Sequence, residues 1–347
     1  MANELADSIV TSILSKRKNR TRSGLELLGD PPPPPSAMLE PSLIVQGGET
    51  VLAAPTKVGK TNLWLHFAFA LTEGTTLWRT FAAPSPVRVL LLELELSEAI
   101  MYRRLSALRD LLGWSDGGLE RLTIRCARAL TLNRQAGQKA ILDIIAETPG
   151  GPPDLVILDS FNAAVRGDAD KTSDAREALH SLHEIQDKTG ITWGLTGEIR
   201  KAPAGAGIRY SIDDLKGSNE LAYDADAVLI LRPDRGNRRR LAVDFAAMRH
   251  DDSSCPEGLV LVRDGLSFEL VENGEARERE LREEAIRGAV REVLQEHLQR
   301  GGGRTWKECV AAVRAAGVSA RNDLITEIRR ELLMAQPQQP LMPEDPS

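Results

Sequence analysis

From Pro41 onward the chain alternates short apolar runs with longer stretches whose apolar positions recur every three to four residues. "ETVLAAP", "VRVLLLELE", "LTIRCA", "PDLVILDSF" and "ITWGLTG" are apolar runs of strand length. Between them "TNLWLHFAFALTEG", "SEAIMYRRLSALRDLLG", "QKAILDIIAE" and "TSDAREALHSLHEIQDKTG" carry helical periodicity, and Gly74 closes the first. Strands with so little polar alternation must be covered on both faces. The pattern therefore predicts an α/β fold with a mainly parallel sheet between two helical layers. Further on, "ADAVLILRPDRGNRRRLAVDFAAM" and "GLVLVRDGLSFELV" read as strands joined by tight Arg-Gly-Asn and Asp-Gly turns, an antiparallel C-terminal extension of that sheet.

The ends break this grammar. Residues 1–36 contain the basic run "SKRKNRTR" at Ser15 to Arg22 and then "GDPPPPPSA", which no packed element can absorb, so a short helix or tail and a stiff linker are expected. The basic run is read first as solvated charge. Residues 37–273 form the α/β core, 274–335 a charged helix and a small helical domain, and 336–347 a disordered tail.

Composition narrows the class. At 347 residues the chain suits one large α/β domain with attachments. No apolar run reaches the eighteen or so residues of a membrane span and no signal-peptide core opens the chain, so a cytoplasmic protein without membrane contact is expected. Cys126, Cys255 and Cys309 are far apart, which gives neither a zinc motif nor a disulfide framework. A formal charge of −6 leaves any nucleic-acid contact to local basic patches.

The strongest chemical signal is "LAAPTKVGKT", Leu52 to Thr61, one residue away from Gly-x-x-x-x-Gly-Lys-[Ser/Thr]. A loop of this kind wraps backbone N–H groups around phosphates and delivers them to a helix N-terminus. Gly59 lets the backbone approach the phosphates, Lys60 reaches the β and γ phosphates, and the Thr61 hydroxyl ligates Mg²⁺. Ala54 replaces the first glycine, a mild departure where the backbone angles are ordinary. The candidate ATP contacts are thus Ala54, Pro55, Thr56, Lys57, Val58, Gly59, Lys60, Thr61 and Asn62. Such a loop needs an acidic strand end nearby to hold Mg²⁺, and "DLVILDS" supplies Asp159. Water must also be activated, and "LLLELELSEA" offers Glu93 and Glu95. Alternation puts both on one face of their strand. Glu95 is preferred because it lies nearer the C-terminal edge, where open α/β sheets bind ligands.

Taken together, the loop x-x-Lys-x-Gly-Lys-Thr, the strand ending in glutamate and followed by "YRRLSAL", the Walker-B "VILDS" and "DDLKGSNELAYDADAVLIL" resemble the RecA-like, AAA-type P-loop ATPases of the RepA and DnaB group. The resemblance runs from about Leu43 to Leu270, and the group includes hexameric plasmid and phage replicative helicases. It implies that Lys60 and Thr61 bind ATP and Mg²⁺, that Asp159 is the Walker-B carboxylate and that Glu95 activates water. It further implies a homo-oligomeric ring in which Arg249 of "FAAMRHDD" enters the neighbouring subunit's site. Two positions depart from the group: Glu198 of "EIRK" stands where a histidine is usual, and Ala247 stands where a lysine precedes the arginine.

Single-stranded DNA is the partner the resemblance implies. "NAAVRGDADKTSD" offers Arg166 and Lys171, and "RKAPAGAGIRYSIDDLKGS" offers Arg200, Lys201, Arg209, Tyr210 and Lys216. In the tail, Ala315 to Ser319 resembles the turn of a helix-turn-helix or winged-helix domain, with Ser319 capping a helix that presents Arg321, Asn322 and Thr326. The reading is a Mg²⁺-dependent ATPase and helicase of plasmid or phage replication. The rival is an ATP-dependent, DNA-bound regulator or initiator that does not unwind.

Overall fold

Nine strands form one sheet in the computed structural model, which describes residues 22–31, 36–167, 172–199, 210–215, 220–234, 237, 239–250, 258–301 and 305–334. The chain divides into two units at Gly274. In the first, β1 (Ala37–Leu39) and β2 (Ile44–Val45) make a small antiparallel pair before β3 (Glu49–Ala54) enters the sheet. A second small pair, β4 (Thr76–Leu77) and β5 (Phe81–Ala82), precedes β6 (Val89–Glu93). The remaining strands are β7 (Leu122–Cys126), β8 (Leu155–Asp159), β9 (Thr192–Glu198), β10 (Ala227–Pro233), β11 (Arg240–Met248), β12 (Gly258–Asp264) and β13 (Ser267–Asn273).

The sheet order is β13-β12-β11-β10-β3-β9-β8-β6-β7. Strands β10 to β7 along this order are parallel, while β11, β12 and β13 are antiparallel, as the change in sequence pattern predicts. Successive residues of one strand feed opposite cores. Leu52 and Ala54 face the layer of Leu63, Trp64 and Phe67, whereas Val51 and Ala53 face that of Phe161, Leu182 and Trp193. Each buried Val, Leu or Phe among these contributes roughly 1.5–3 kcal/mol relative to exposure.

The helix Lys60–Glu73 is buried almost all round, from Asn62 to Thr72, and Gly74 at φ 65° closes it. Its seat on the sheet requires glycine at 194, because a Cβ there would lie 2.7 Å from the Trp64 ring. Trp64 Nε1 then donates to Thr196 Oγ1 at 2.9 Å. This packing fixes where the helix begins, hence where the loop before it stands.

Two expectations need correction. β6 ends at Glu93, so Glu95 lies in the following turn and not on the strand. In the second unit the helices are Gly274–Gln299, Trp306–Ala315 and Asn322–Met334, so Ser319 caps nothing: the last helix starts three residues later. Val290, Leu294, Cys309, Val313, Ile325 and Ile328 form that unit's core, and its described residues include no strand and hence no wing. No helix of the described residues is long and apolar enough to cross a membrane.

Candidate nucleotide-binding site

Ala54 ends β3 in regular, fully buried strand, so the alanine in place of glycine strains nothing. The chain then turns through Lys57 at φ 65° and Gly59 at φ 113° before the helix opens at Lys60. Two left-handed residues in so short a loop turn successive N–H groups to one side. Gly59 is required by its angle, and a Cβ there would also press on Phe268 Cζ at 3.1 Å.

The loop borders a cleft of about 440 Å³, within the size range of small-molecule sites. Thr56, Lys57, Gly59, Lys60, Thr61 and Asn62 line it from the loop side; Glu93, Glu95, Leu96 and Asp159 line it from the neighbouring strand ends. Of the remaining loop residues, Ala54 and Pro55 accept from Lys60 Nζ through their carbonyls at 3.0 and 3.3 Å. The Val58 side chain is buried in the core.

Opposite the loop, Thr61 Oγ1 donates to Asp159 Oδ2 at 2.5 Å. Burial holds the Asp159 carboxyl above its usual range, while the Thr61 and Thr196 hydroxyls pull it back. Glu95 Oε1 accepts from Ser160 Oγ at 2.5 Å, so the residue after Asp159 orients it. Glu93 lies one strand from Asp159 in direct register. Its Oε1 accepts the backbone N–H of Glu95 and of Leu96, both at 2.8 Å, which shapes the turn that carries Glu95. Burial, then Asp159 beside it, raise the Glu93 carboxyl to about 7. Two buried atoms on the cleft wall, Glu93 Oε2 and Asn62 Oδ1, have no hydrogen-bond partner among the described residues.

Donor chemistry and size fit a nucleotide triphosphate with Mg²⁺. N–H groups, Lys60 and the helix N-terminus suit phosphates, and a hydroxyl paired with a carboxylate suits a hard cation. Three residues that linear spacing does not reveal also line the cleft or hold it: Arg104 from the helix Glu98–Leu112, Glu198 beside Ala54 in the β9–β3 register, and Arg263 from the end of β12. The sequence draws attention to Glu198 as a departure. Arg263 lies more than two hundred residues from the loop and offers no local pattern.

Arg249 is not brought to this cleft. Met248 pairs with Ala227, and Ala227 with Thr50, so Arg249 follows the end of β11 near the start of β3, about 15 Å along the strand from the loop. Its Nη2 donates to the Tyr223 carbonyl at 2.7 Å and its Nη1 lies 4.0 Å from Asp226 Oδ1.

Of the candidate nucleic-acid residues, Arg166 is exposed, with its backbone held by Asn133 on both sides. Arg200, Lys171, Lys201, Arg209 and Lys216 lie outside the described residues. In the tail, the Thr326 hydroxyl donates to Asn322 O at 2.8 Å and accepts from Trp306 Nε1 at 3.0 Å, so it is engaged in the tail's own packing.

The family model described as "AAA domain" matches residues 16–204, more than half of the chain. No curated protein matches. Among solved structures, one described as an "ATPase Domain" superposes with a TM-score of 0.49 at 15% identity, over 65% of this chain and 86% of that one. The "Crystal structure of the RadB recombinase" superposes with a TM-score of 0.46 at 17% identity, over 66% and 93%.

Proposed function

The chain belongs to the AAA domain family and its core is a RecA-like P-loop ATPase core, and from that premise we propose that it hydrolyses ATP with Mg²⁺ as a ring-forming motor on nucleic acid. The observation that carries the proposal is the convergence of Lys60, Thr61, Asp159 and Glu95 on one cleft. Lys60 and the loop N–H groups hold the phosphates, and Thr61 and Asp159 would hold Mg²⁺, which supplies charge neutralisation at the transferring phosphoryl group. Glu95, oriented by Ser160, takes the proton of the attacking water. Its hydrogen bond to the serine hydroxyl is one it must share with that water.

Arg249 supplies the remaining positive charge from a neighbouring copy. Its distance from its own chain's cleft supports action in trans. Turnover then depends on assembly, in a homo-oligomer that we take to be a hexamer, with single-stranded DNA in the central channel against loops that include Arg166. The activity is that of a RepA-type helicase in plasmid or phage replication.

One observation favours a second reading. Glu198 lines the cleft beside the loop strand, where a carboxylate repels a γ-phosphate rather than sensing it. A switch that binds DNA and changes assembly with nucleotide, without unwinding, tolerates that better than a motor does.

Mg²⁺-dependent ATP turnover, measured with and without single-stranded DNA, tests the first reading. Lys60→Ala is expected to abolish it; equal turnover in that variant would remove the enzymatic assignment. Strand displacement from a forked duplex separates motor from switch.

A further inference from the structure

A phosphate loop works by aiming N–H groups inward, and each inward N–H leaves a carbonyl of the same loop pointing outward. Two of these carbonyls are held by one side chain. Arg263 Nη1 donates to Val58 O at 3.1 Å and, more loosely, to Lys57 O at 3.4 Å. Lys57 is the non-glycine residue of the loop with a left-handed backbone, at φ 65°, so its peptide orientation is one that an outside hydrogen bond must help to hold.

Arg263 is itself fixed. Its Nε donates to Gly265 O at 3.1 Å, its backbone N–H to Arg239 O at 2.6 Å, and Arg239 Nε returns a bond to Arg263 O at 3.2 Å. The hairpin carrying it also touches the two elements that flank the loop's end. Phe268 Cζ comes within 3.1 Å of where a Cβ on Gly59 would lie, and His66 Nε2 lies 3.2 Å from Leu266 O. The antiparallel extension therefore reaches across the sheet to grip the phosphate loop from outside.

We infer that Arg263 is a positioning residue that preorganises the loop for the phosphates of a nucleotide, acting through the Lys57 and Val58 carbonyls. The inference rests on the nucleotide-binding reading above. A residue that acts through the loop backbone supports every phosphate the loop holds, so di- and triphosphate should lose affinity by the same factor. A residue that contacts the γ-phosphate would separate the two.

The test is calorimetric titration of the full-length protein with ADP and with a non-hydrolysable ATP analogue, each with Mg²⁺. Arg263→Ala is expected to weaken both by about tenfold, the scale of a lost charge-assisted hydrogen bond. Arg263→Lys, which keeps the charge and one donor direction, is expected to recover about half of that loss on a logarithmic scale, equally for both nucleotides. If the alanine variant does not fold, the lysine variant alone carries the comparison. Unchanged affinities, or a loss confined to the triphosphate or to turnover, would overturn the inference while leaving nucleotide binding intact. A wild-type protein that binds neither nucleotide would instead overturn the reading on which the inference stands.

Discussion

Thr61 Oγ1 and Asp159 Oδ2 are 2.5 Å apart although ninety-eight residues separate them in the chain. The contact joins the first turn of the helix after the phosphate loop to the end of β8, two strands from β3. Two oxygens that close, one neutral and one acidic, are also the pair that a Mg²⁺ ion would need.

Replacing Thr61 removes the proposed cation ligand and one of the hydroxyls that counter the effect of burial on Asp159. Thr61→Ala is expected to lower Mg²⁺-dependent turnover on the order of 100-fold, the scale of losing one preorganised group at a charge-bearing site. Thr61→Ser keeps the hydroxyl and should stay within about fivefold. Nucleotide affinity measured in EDTA should be nearly unchanged in both, because the phosphates are held by the loop. A loss in EDTA as large as that with Mg²⁺ would contradict the metal role.

Glu93 acts on Glu95 through the backbone. Its Oε1 takes the N–H groups of Glu95 and Leu96, so Glu93→Ala leaves two donors unsatisfied in a half-buried turn and lets Glu95 drift. Turnover is expected to fall by about tenfold with KM within about twofold. Glu93→Gln retains a carbonyl acceptor and should recover most of the loss. Steady-state ATPase assays of the two variants decide the matter: equal losses would mean that the charge of Glu93, not its acceptor geometry, is what counts.

The legible part of this molecule is the part encoded locally. The apolar runs place β3, β6, β7, β8 and β9, and the phosphate loop and the acid at Asp159 follow from a strand end met at the right place. The expected turn from β12 to β13 is present, although its two loop residues are Gly265 and Leu266 and not Asp-Gly, because Asp264 still pairs with Ser267. What linear spacing hides is set by register and packing. Ser160 orients Glu95 only because β8 and β6 are neighbours, and Arg263 reaches Val58 only because the extension folds back over the loop. The strands of two or three residues in β1, β2, β4 and β5 are too short for any period to register. Ser319 is a good capping residue, but it lies in a turn that continues past it to Asn322.

His66 gives a pH dependence of stability with a defined sign. It is almost fully buried between Trp78 and Phe268, and burial lowers its pKa from 6.5 to about 4. Between those values the unfolded chain binds a proton that the folded chain does not, so stability rises with pH there. The contribution is fully present above about 6.5 and is lost as pH falls toward 4, amounting to about 3 kcal/mol at most. His66→Gln keeps a donor for Leu266 O and does not titrate. The difference in Tm between wild type and this variant should move against wild type as pH is lowered from 7 to 4. A difference that stays constant over that range would show that His66 is not protonated on unfolding.

Arg249 decides whether the site is shared between copies. It lies about 15 Å along the strand direction from its own loop, so in an isolated chain its loss should not alter nucleotide affinity. In an assembly, Arg249→Ala is expected to lower turnover on the order of 1000-fold, the scale of a missing arginine finger. Lys60→Ala alone should be equally inactive, because it lacks the phosphate lysine while keeping the arginine. Mixing the two variants in equal amounts then restores sites in which a normal loop from one copy faces a normal arginine from the next. Random mixing around a head-to-tail ring gives about one such site in four, so the mixture should recover about a quarter of wild-type activity. Turnover assays on the mixture, after incubation long enough for subunits to exchange, read this directly. A mixture that stays as inactive as its parts, with exchange shown by a labelled subunit, would mean that Arg249 completes no neighbouring site. Full activity in Arg249→Ala alone would remove it from the reaction altogether.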